Sequence, residues 1–360
     1  MPGSGVGTSE RVAATTISQW AKMVSELTEQ RYILLSMLKS KGRISKGNSG
    51  GELRWVFRYK DHALSGFPDN SPIAFSRKHT LKNAVLPWRG YYLEDAITLR
   101  EKLEQGGKEA MIKVFSNREE VMRRAATRQM ADEWFKDGNL AANAAAETFH
   151  GIESLLAGSD SAGAIEIDTY SDSYGGHSTA TGGSVGSTDT RVWTPTVVNS
   201  TYGSNTWADK ANELIRLMIL QLSFWNASED NVDLILLTKT AYRDLLNLLE
   251  TKERLNIKRG ESVGVAKLGF DKFVELDGVS IGWDAGVPLV DTAASPKTVN
   301  GYAFNTDRLK LKILGKKGGS LFTSRVTFND NYQADHIFLH CLGNLVFESP
   351  RFFGAFKEVN

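Results

Sequence analysis

The sequence predicts an α+β fold of two or more lobes, on three observations. Apolar residues recur at helical spacing over 17–39, 108–136 and 207–225, separated by stretches of a different period. Aromatic and β-branched residues mixed with charges gather at 52–95 and again in the last 60 residues, as strands do. The continuous apolar run Val232–Thr238 (VDLILLT) stands between two helical patterns, as expected of a strand buried on both faces. At 360 residues and 41% hydrophobic composition, the chain exceeds the roughly 250–300 residues at which a single core stops growing.

From Ile17 to Lys39, Trp20, Val24, Leu27, Leu34, Leu35 and Leu38 keep mostly helical spacing until GRISKGNSGG breaks it, which predicts an N-terminal helical arm. Glu52–Tyr59 (ELRWVFRY) and Pro72–Asp95 read as strands, and DHALSGFPDNS between them supplies the turn residues Gly66, Pro68, Asp69 and Asn70. Together they make a long hairpin rich in Arg, Lys and aromatics. A two-stranded arm is marginal alone, so the hairpin is either part of a larger sheet or an arm stabilised by a neighbouring chain. Helical character starts near Ala96, breaks at Gly106 and Gly107, and resumes from Lys108 to Lys136. The stripe of that long helix is Met111, Val114, Phe115, Met122, Ala126, Met130 and Trp134, with Arg118, Arg123, Arg124 and Arg128 on other faces. Such a charge run is as a rule a solvated or ion-paired face, and contact with DNA is the sharper alternative.

Phe149–Ser159 (FHGIESLLAGS) leads into a Gly-, Ser- and Thr-rich region running to Thr190, which is expected to bury little apolar surface. RVWTPTVVNST is extended, Trp207–Trp225 is helical, and TAYRDLLNLLETKER after the buried strand is a second helix, so this part reads as a compact α/β lobe. FVEL and VSIGW flank Asp277 and Gly278, a hairpin signal. YAFNTDRLKLKIL, SLFTSRVTF and ADHIFLHCLGNLVFESP read as further strands, and no internal repeat is visible.

Composition narrows the function. Lys plus Arg (43) balances Asp plus Glu (42), so no whole-molecule field recruits nucleic acid. The single cysteine, Cys341, forms neither an internal disulfide nor a cysteine-based zinc site. MPGSGVGTSERVAATT does not read as a secretion signal, and Leu214–Trp225, interrupted by Arg216 and Gln221, is too short for a membrane span, so a soluble cytoplasmic product is expected. His336 and His340 have the spacing of paired metal ligands beside Asp335, but only on a helix. Their segment reads as a strand, where the rings stand roughly 13 Å apart. Cys341 is expected to be a buried thiol, not a nucleophile. Gly315–Ser320 (GKKGGS) lacks P-loop spacing, the tract with Gly175, Gly176, Gly182, Gly183 and Gly186 lacks a dinucleotide fingerprint, and no GxSxG elbow exists. An α/β enzyme, suggested only by VDLILLT, is thus without catalytic, cofactor or metal residues, and a non-enzyme is expected.

The order of segments carries more than any single motif. A helical arm, a charged hairpin, a long helix, FHGIESLLAGS, VDLILLTKTAYRDLLNLL, GFDKFVELDGVSIGWDAGVP with Trp283 and Asp284, and the closing GNLVFESPRFFGAF follow one another. In that order, and over nearly the whole chain, they resemble the major capsid proteins of tailed bacteriophages, the Hong Kong 97-type fold. The resemblance implies an N-terminal arm at 1–50, an extended β-hairpin or E-loop at 51–93, and a P-domain with a spine helix at 94–150. It implies a central α/β A-domain at 151–300, with 301–360 as return strands of the P-domain and C-terminus.

It further implies self-assembly into the pentamers and hexamers of an icosahedral head enclosing double-stranded DNA, without a cofactor. The implied partners are other copies of the chain, a portal protein, optionally a decoration protein, and packaged DNA by non-specific proximity, with no membrane. Because only about fifty residues precede the hairpin, a separate scaffolding protein is also expected. The implied location is the virion shell, assembled in the host cytoplasm. Arg54, Trp55, Phe57, Arg58, Phe75, Arg77, Trp88, Arg89 and Tyr91, of types enriched at interface cores, are the inter-subunit contact candidates. Arg118, Arg123, Arg124 and Arg128 are candidates for DNA or subunit contact. An encapsulin-like compartment subunit, similar in fold, is the alternative reading. Some capsid relatives form Lys-to-Asn cross-links. Lys60, Lys78, Lys82, Asn329, Asn331 and Asn344 lie in suitable regions, but no motif pins a pair and no bond is expected.

Overall fold

The computed structural model describes residues 19–20, 22–24, 26–28, 32–59, 77–104, 108–156, 165–166, 173–179, 193–200, 206–223, 231–251, 274–290, 298–315, 321–329 and 334–358. The N-terminal segment is docked on its own chain. Residues 19–28 are helical where described, with Trp20, Val24 and Thr28 buried at intervals of four. Helix α1 (Ile33–Ser40) buries Leu34, Leu35 and Leu38. Its N-cap, Tyr32, makes no side-chain cap; the buried Asp284 carboxylate accepts from the Ile33 amide instead, and the Tyr32 hydroxyl donates to Thr127 O.

Two sheets organise the rest. In the peripheral sheet, β15 (Ala334–Phe347) pairs along one edge with β4 (Arg89–Thr98). Its other edge is shared by β14 (Thr323–Asn329) and β13 (Leu309–Leu314), and β1 (Ile44–Asn48) runs parallel to β13. Ile337, Leu339 and Cys341 face the core, and His336, Phe338, His340 and Leu342 alternate outward. Strand β4 continues through Thr98, so the helix expected near Ala96 begins at Leu99 (α2, Leu99–Glu104). Helix α3 spans Lys108–Glu133, followed by the short α4 (Ala141–Ala145); Met122, Ala126 and Met130 are buried, while the side chains of Met111, Val114 and Phe115 lie outside the described residues.

The second sheet has seven strands in the order β10 (Val274–Leu276), β11 (Val279–Trp283), β9 (Leu234–Leu237), β12 (Val299–Phe304), β16 (Gly354–Lys357), β8 (Thr196–Asn199) and β5 (Ile165–Glu166). Helices α6 (Trp207–Leu222) and α7 (Lys239–Thr251) cover one face through Ile215, Met218, Leu245 and Leu249, against Ile235, Leu237, Ala303 and Phe356. Leu234, Leu236, Tyr302 and Phe304 join the other core cluster, which explains the uninterrupted apolar strand. Asp277 (φ 50) and Gly278 (φ 82) form the expected turn between β10 and β11. The pairings divide residues 301–360: β13, β14 and β15 lie in the peripheral sheet, whereas β12 and β16 hydrogen-bond into the seven-stranded one. A local hydrophobic pattern gives a strand its faces but not its neighbours, so this split is invisible in the sequence.

The crossing from β12 to β13 is clamped by charge. Lys41 Nζ lies 2.6 Å from Asp233 and 3.2 Å from Asp307, Arg43 lies 3.2 Å from Asp307, and the Thr306 amide donates to Asp233 at 2.8 Å.

Candidate assembly surface

Strands β2 (Glu52–Arg58) and β3 (Leu81–Pro87) pair in register from Glu52 opposite Pro87 to Arg58 opposite Leu81. Alternation sends Leu53, Phe57, Ala84 and Leu86 inward and leaves Arg54, Val56, Arg58, Leu81 and Asn83 exposed. Residues 60–76, with Phe75 and Lys60, lie outside the described residues.

The nine hairpin candidates divide. Trp55 donates its indole N–H to Glu348 O at 3.1 Å, and Phe57 packs on Trp193 with ring centroids 4.0 Å apart. Trp88 donates to Gly50 O, and Arg89 to Gly138 O and Thr148 O. The Tyr91 hydroxyl donates to Glu133 and accepts from the Phe149 amide; burial and the Glu133 carboxylate push its pKa up. These five are held within their own subunit. Arg54, ion-paired with Glu52, and Arg58 and Arg77 stand on the exposed side.

The arginines of α3 also have acids beside them. Arg118 bridges Asp95 and Glu101, each at 2.7 Å, and so ties β4 and α2 to the long helix. Arg124 pairs with Glu120 one turn away, and Arg123 and Arg128 interact with Glu119 and Asp132. Among the described side chains of α3 the four arginines are matched in number by Glu119, Glu120, Asp132 and Glu133.

Inside, the Lys357 ammonium of β16 lies 2.9 Å from Glu153 on helix α5 (Glu153–Leu156) and donates to Leu156 O at 3.0 Å. The Tyr302 hydroxyl donates to the other Glu153 oxygen. The pair is sealed, with the side chains 4% and 0% exposed, and it pins the strand to the core. Nearby, burial chiefly raises the Asp137 carboxyl to about 6. Burial, aided by the Arg89 cation, lowers His150 to about 3. Asn344 is fully buried: it accepts from the His150 and Leu345 amides and donates to Pro87 O, so its amide is engaged inside the subunit. Among the described residues no group of His, Cys, Asp and Glu could hold a metal. His336 and His340 lie on a strand opposite Ala96 and Tyr92, and burial pushes the Cys341 thiol up to about 12. Among the described residues no helix is long and apolar enough to cross a membrane.

Sequence reasoning missed part of the support. Within the Gly-, Ser- and Thr-rich tract, β6 (Ser173–Tyr174) and β7 (His177–Ser178) form a small hairpin whose Tyr174 is fully buried, contrary to the expectation for that stretch. The local signal was YGGH, two glycines between two rings, diluted by the composition around it.

No protein-family model matches the chain, and no curated protein matches it in sequence. Solved structures do match. The capsid of a native GTA particle aligns with a TM-score of 0.55 at 8% identity, over 90% of this chain and 91% of that one. The cyanophage A-1(L) capsid aligns with a TM-score of 0.55 at 12% identity, over 90% and 91%. The mature capsid of bacteriophage PhiM1 aligns with a TM-score of 0.52 at 12% identity, over 89% and 87%. At this sequence distance the likeness is one of architecture, and by it the chain has the phage major capsid protein fold.

Proposed function

We propose that the chain is a non-enzymatic shell subunit, assembling with copies of itself into the pentamers and hexamers of an icosahedral phage head around double-stranded DNA. The observation that carries this reading is the hairpin β2–β3, in a chain that shares its fold with capsid subunits over 90% of its length. One face of the hairpin serves its own subunit; the other turns Arg54, Val56, Arg58 and Leu81 outward, and Val56 and Leu81 are 59% and 60% exposed. Exposed apolar groups beside arginine suit a contact with a second copy. Identical chains joined head to tail close into rings.

On this reading 1–50, 51–93, 94–150 and 151–300 act as arm, E-loop, P-domain and A-domain, and 301–360 is shared between the last two. Arg54, Arg58 and Arg77 are the hairpin candidates best placed to meet a neighbour. Arg118 and Arg124 serve ion pairs within the subunit, and the acids Glu119 and Asp132 beside Arg123 and Arg128 favour the same use over DNA contact. A separate scaffolding protein, a portal protein and an optional decoration protein complete the particle, which is built in the host cytoplasm.

Electron microscopy of the purified chain, with and without a scaffolding protein, tests the reading. Closed shells with five- and six-fold capsomers are expected, and a solution of monomers at high concentration overturns it. Shells filled with a cargo enzyme and free of DNA would favour the compartment alternative. Replacing Arg123 and Arg124 with Ala is expected to leave genome retention unchanged.

A further inference from the structure

We infer that the turn from Tyr174 to His177 is a clasp that fixes the angle of the hairpin within its own subunit, before a neighbour is met. A two-stranded hairpin has too little buried surface to hold an orientation by itself. Among the described residues β2 and β3 form a sheet only with each other, so ladder bonding to a larger sheet does not orient them. The clasp is strapped to the peripheral sheet: the Tyr174 hydroxyl donates to Leu345 O at 3.1 Å and accepts from the Phe347 amide at 3.0 Å, both on β15. The Trp193 indole donates to Tyr174 O at 3.2 Å.

The turn itself, Gly175 (φ +61) and Gly176 (φ +80), offers its edge to β3. The Val85 amide donates to Gly175 O at 3.1 Å. His177 Nε2 lies 2.9 Å from Asn83 O; a carbonyl only accepts, so this nitrogen carries the hydrogen. Phe57 meets the edge of the His177 ring at 5.3 Å, and Trp55 is tilted on Tyr174 at 5.9 Å. Gly175 is required twice over. Its φ is left-handed, and a Cβ there would stand 2.9 Å from Ala84 Cβ and 3.3 Å from Trp55 Cη2.

Force on the arm is therefore referred through Val85, Gly175 and Tyr174 to β15, the strand that organises the peripheral sheet. An arm held in this way loses less conformational freedom on docking than a swinging one. The purpose of the fixed angle rests on the shell reading; the clasp does not.

Hydrogen exchange of the Val85 amide in dissociated full-length subunits reads the clasp directly and does not depend on shells forming. In Gly175→Val this amide is expected to exchange at least tenfold faster, and trypsin to cut sooner at Arg54, Arg58 and Arg77, while amides of β9 and β12 keep their protection. His177→Ala removes the Asn83 hydrogen bond and the ring contacts with Phe57 and Trp193 without crowding the turn, and is expected to accelerate Val85 about threefold, so it decides the matter if Gly175→Val does not fold. Unchanged Val85 exchange in the folded variants overturns the clasp.

Discussion

The seven-stranded sheet buries both of its faces, with Ile235 and Leu237 under α6 and α7 and Leu234 and Leu236 packed with Tyr302 and Phe304. The hairpin β2–β3 buries one, and its inward residues rest on a clasp contributed by a distant part of the chain. The difference teaches that burial is two-sided in the central sheet and one-sided in the hairpin. The central lobe satisfies itself. The hairpin is covered on its inward side, while Val56 and Leu81 stand exposed on the other.

The sharpest way to break this contrast lies in the lobe. Lys357→Ala leaves Glu153 charged in the core and is expected to cost about 3–5 kcal/mol in urea unfolding, while Lys357→Met combined with Glu153→Gln recovers most of it. A cost near zero would mean the lobe is not sealed.

The next effect is acid lability where the hairpin root meets the core. His150 has an ordinary value of 6.5 and a folded value of about 3. Between these values the unfolded chain binds the proton and the folded one does not, so stability falls as pH drops from 6.5 towards 3. Asp137 works the other way, because its folded value of about 6 lies above 3.8; its contribution is present below 3.8 and is lost as pH rises towards 6. Urea midpoints across pH 3 to 7 are expected to fall less steeply on the acid side in His150→Leu, and an unchanged slope would remove His150 from the account.

Asp284→Ala is expected to cost about 1 kcal/mol, as loss of a helix cap does. It should appear first as faster amide exchange in α1. The smallest effect on stability is expected at the hairpin surface. Arg54→Glu with Val56→Asp should stay within about 0.5 kcal/mol of the parent in thermal unfolding, yet lower the yield of closed particles. Loss of folding in that variant would erase the distinction between the regions.

Much of the fold was legible in the sequence because its local rules agree. The alternation at Glu52–Arg58, the turn at Asp277 and Gly278, and the apolar run at Leu234–Leu237 each point to one state. The site was legible only by residue type. Trp55, Phe57, Trp88, Arg89 and Tyr91 are the kinds of residue that interfaces favour, but also the kinds that a subunit uses to hold its own hairpin. Type alone does not distinguish the two uses. Tyr174 was hidden because averaging over a Gly- and Ser-rich tract hides one ring. Asp284 was noticeable in its motif, but its partner Ile33 lies some 250 residues away.

The position of β16 sets a condition on biosynthesis. Residues Gly354–Lys357 lie between β12 and β8, yet they are translated after every other strand of that sheet. Without them Ala303 and Val198 would border an empty slot, β12 and β8 would lose the strand that links them, and Glu153 would lack its cation. A chain terminated before Gly354 thus carries its own mark of incompleteness. The four residues that join the two halves of the sheet are thus also the ones that neutralise its buried carboxylate.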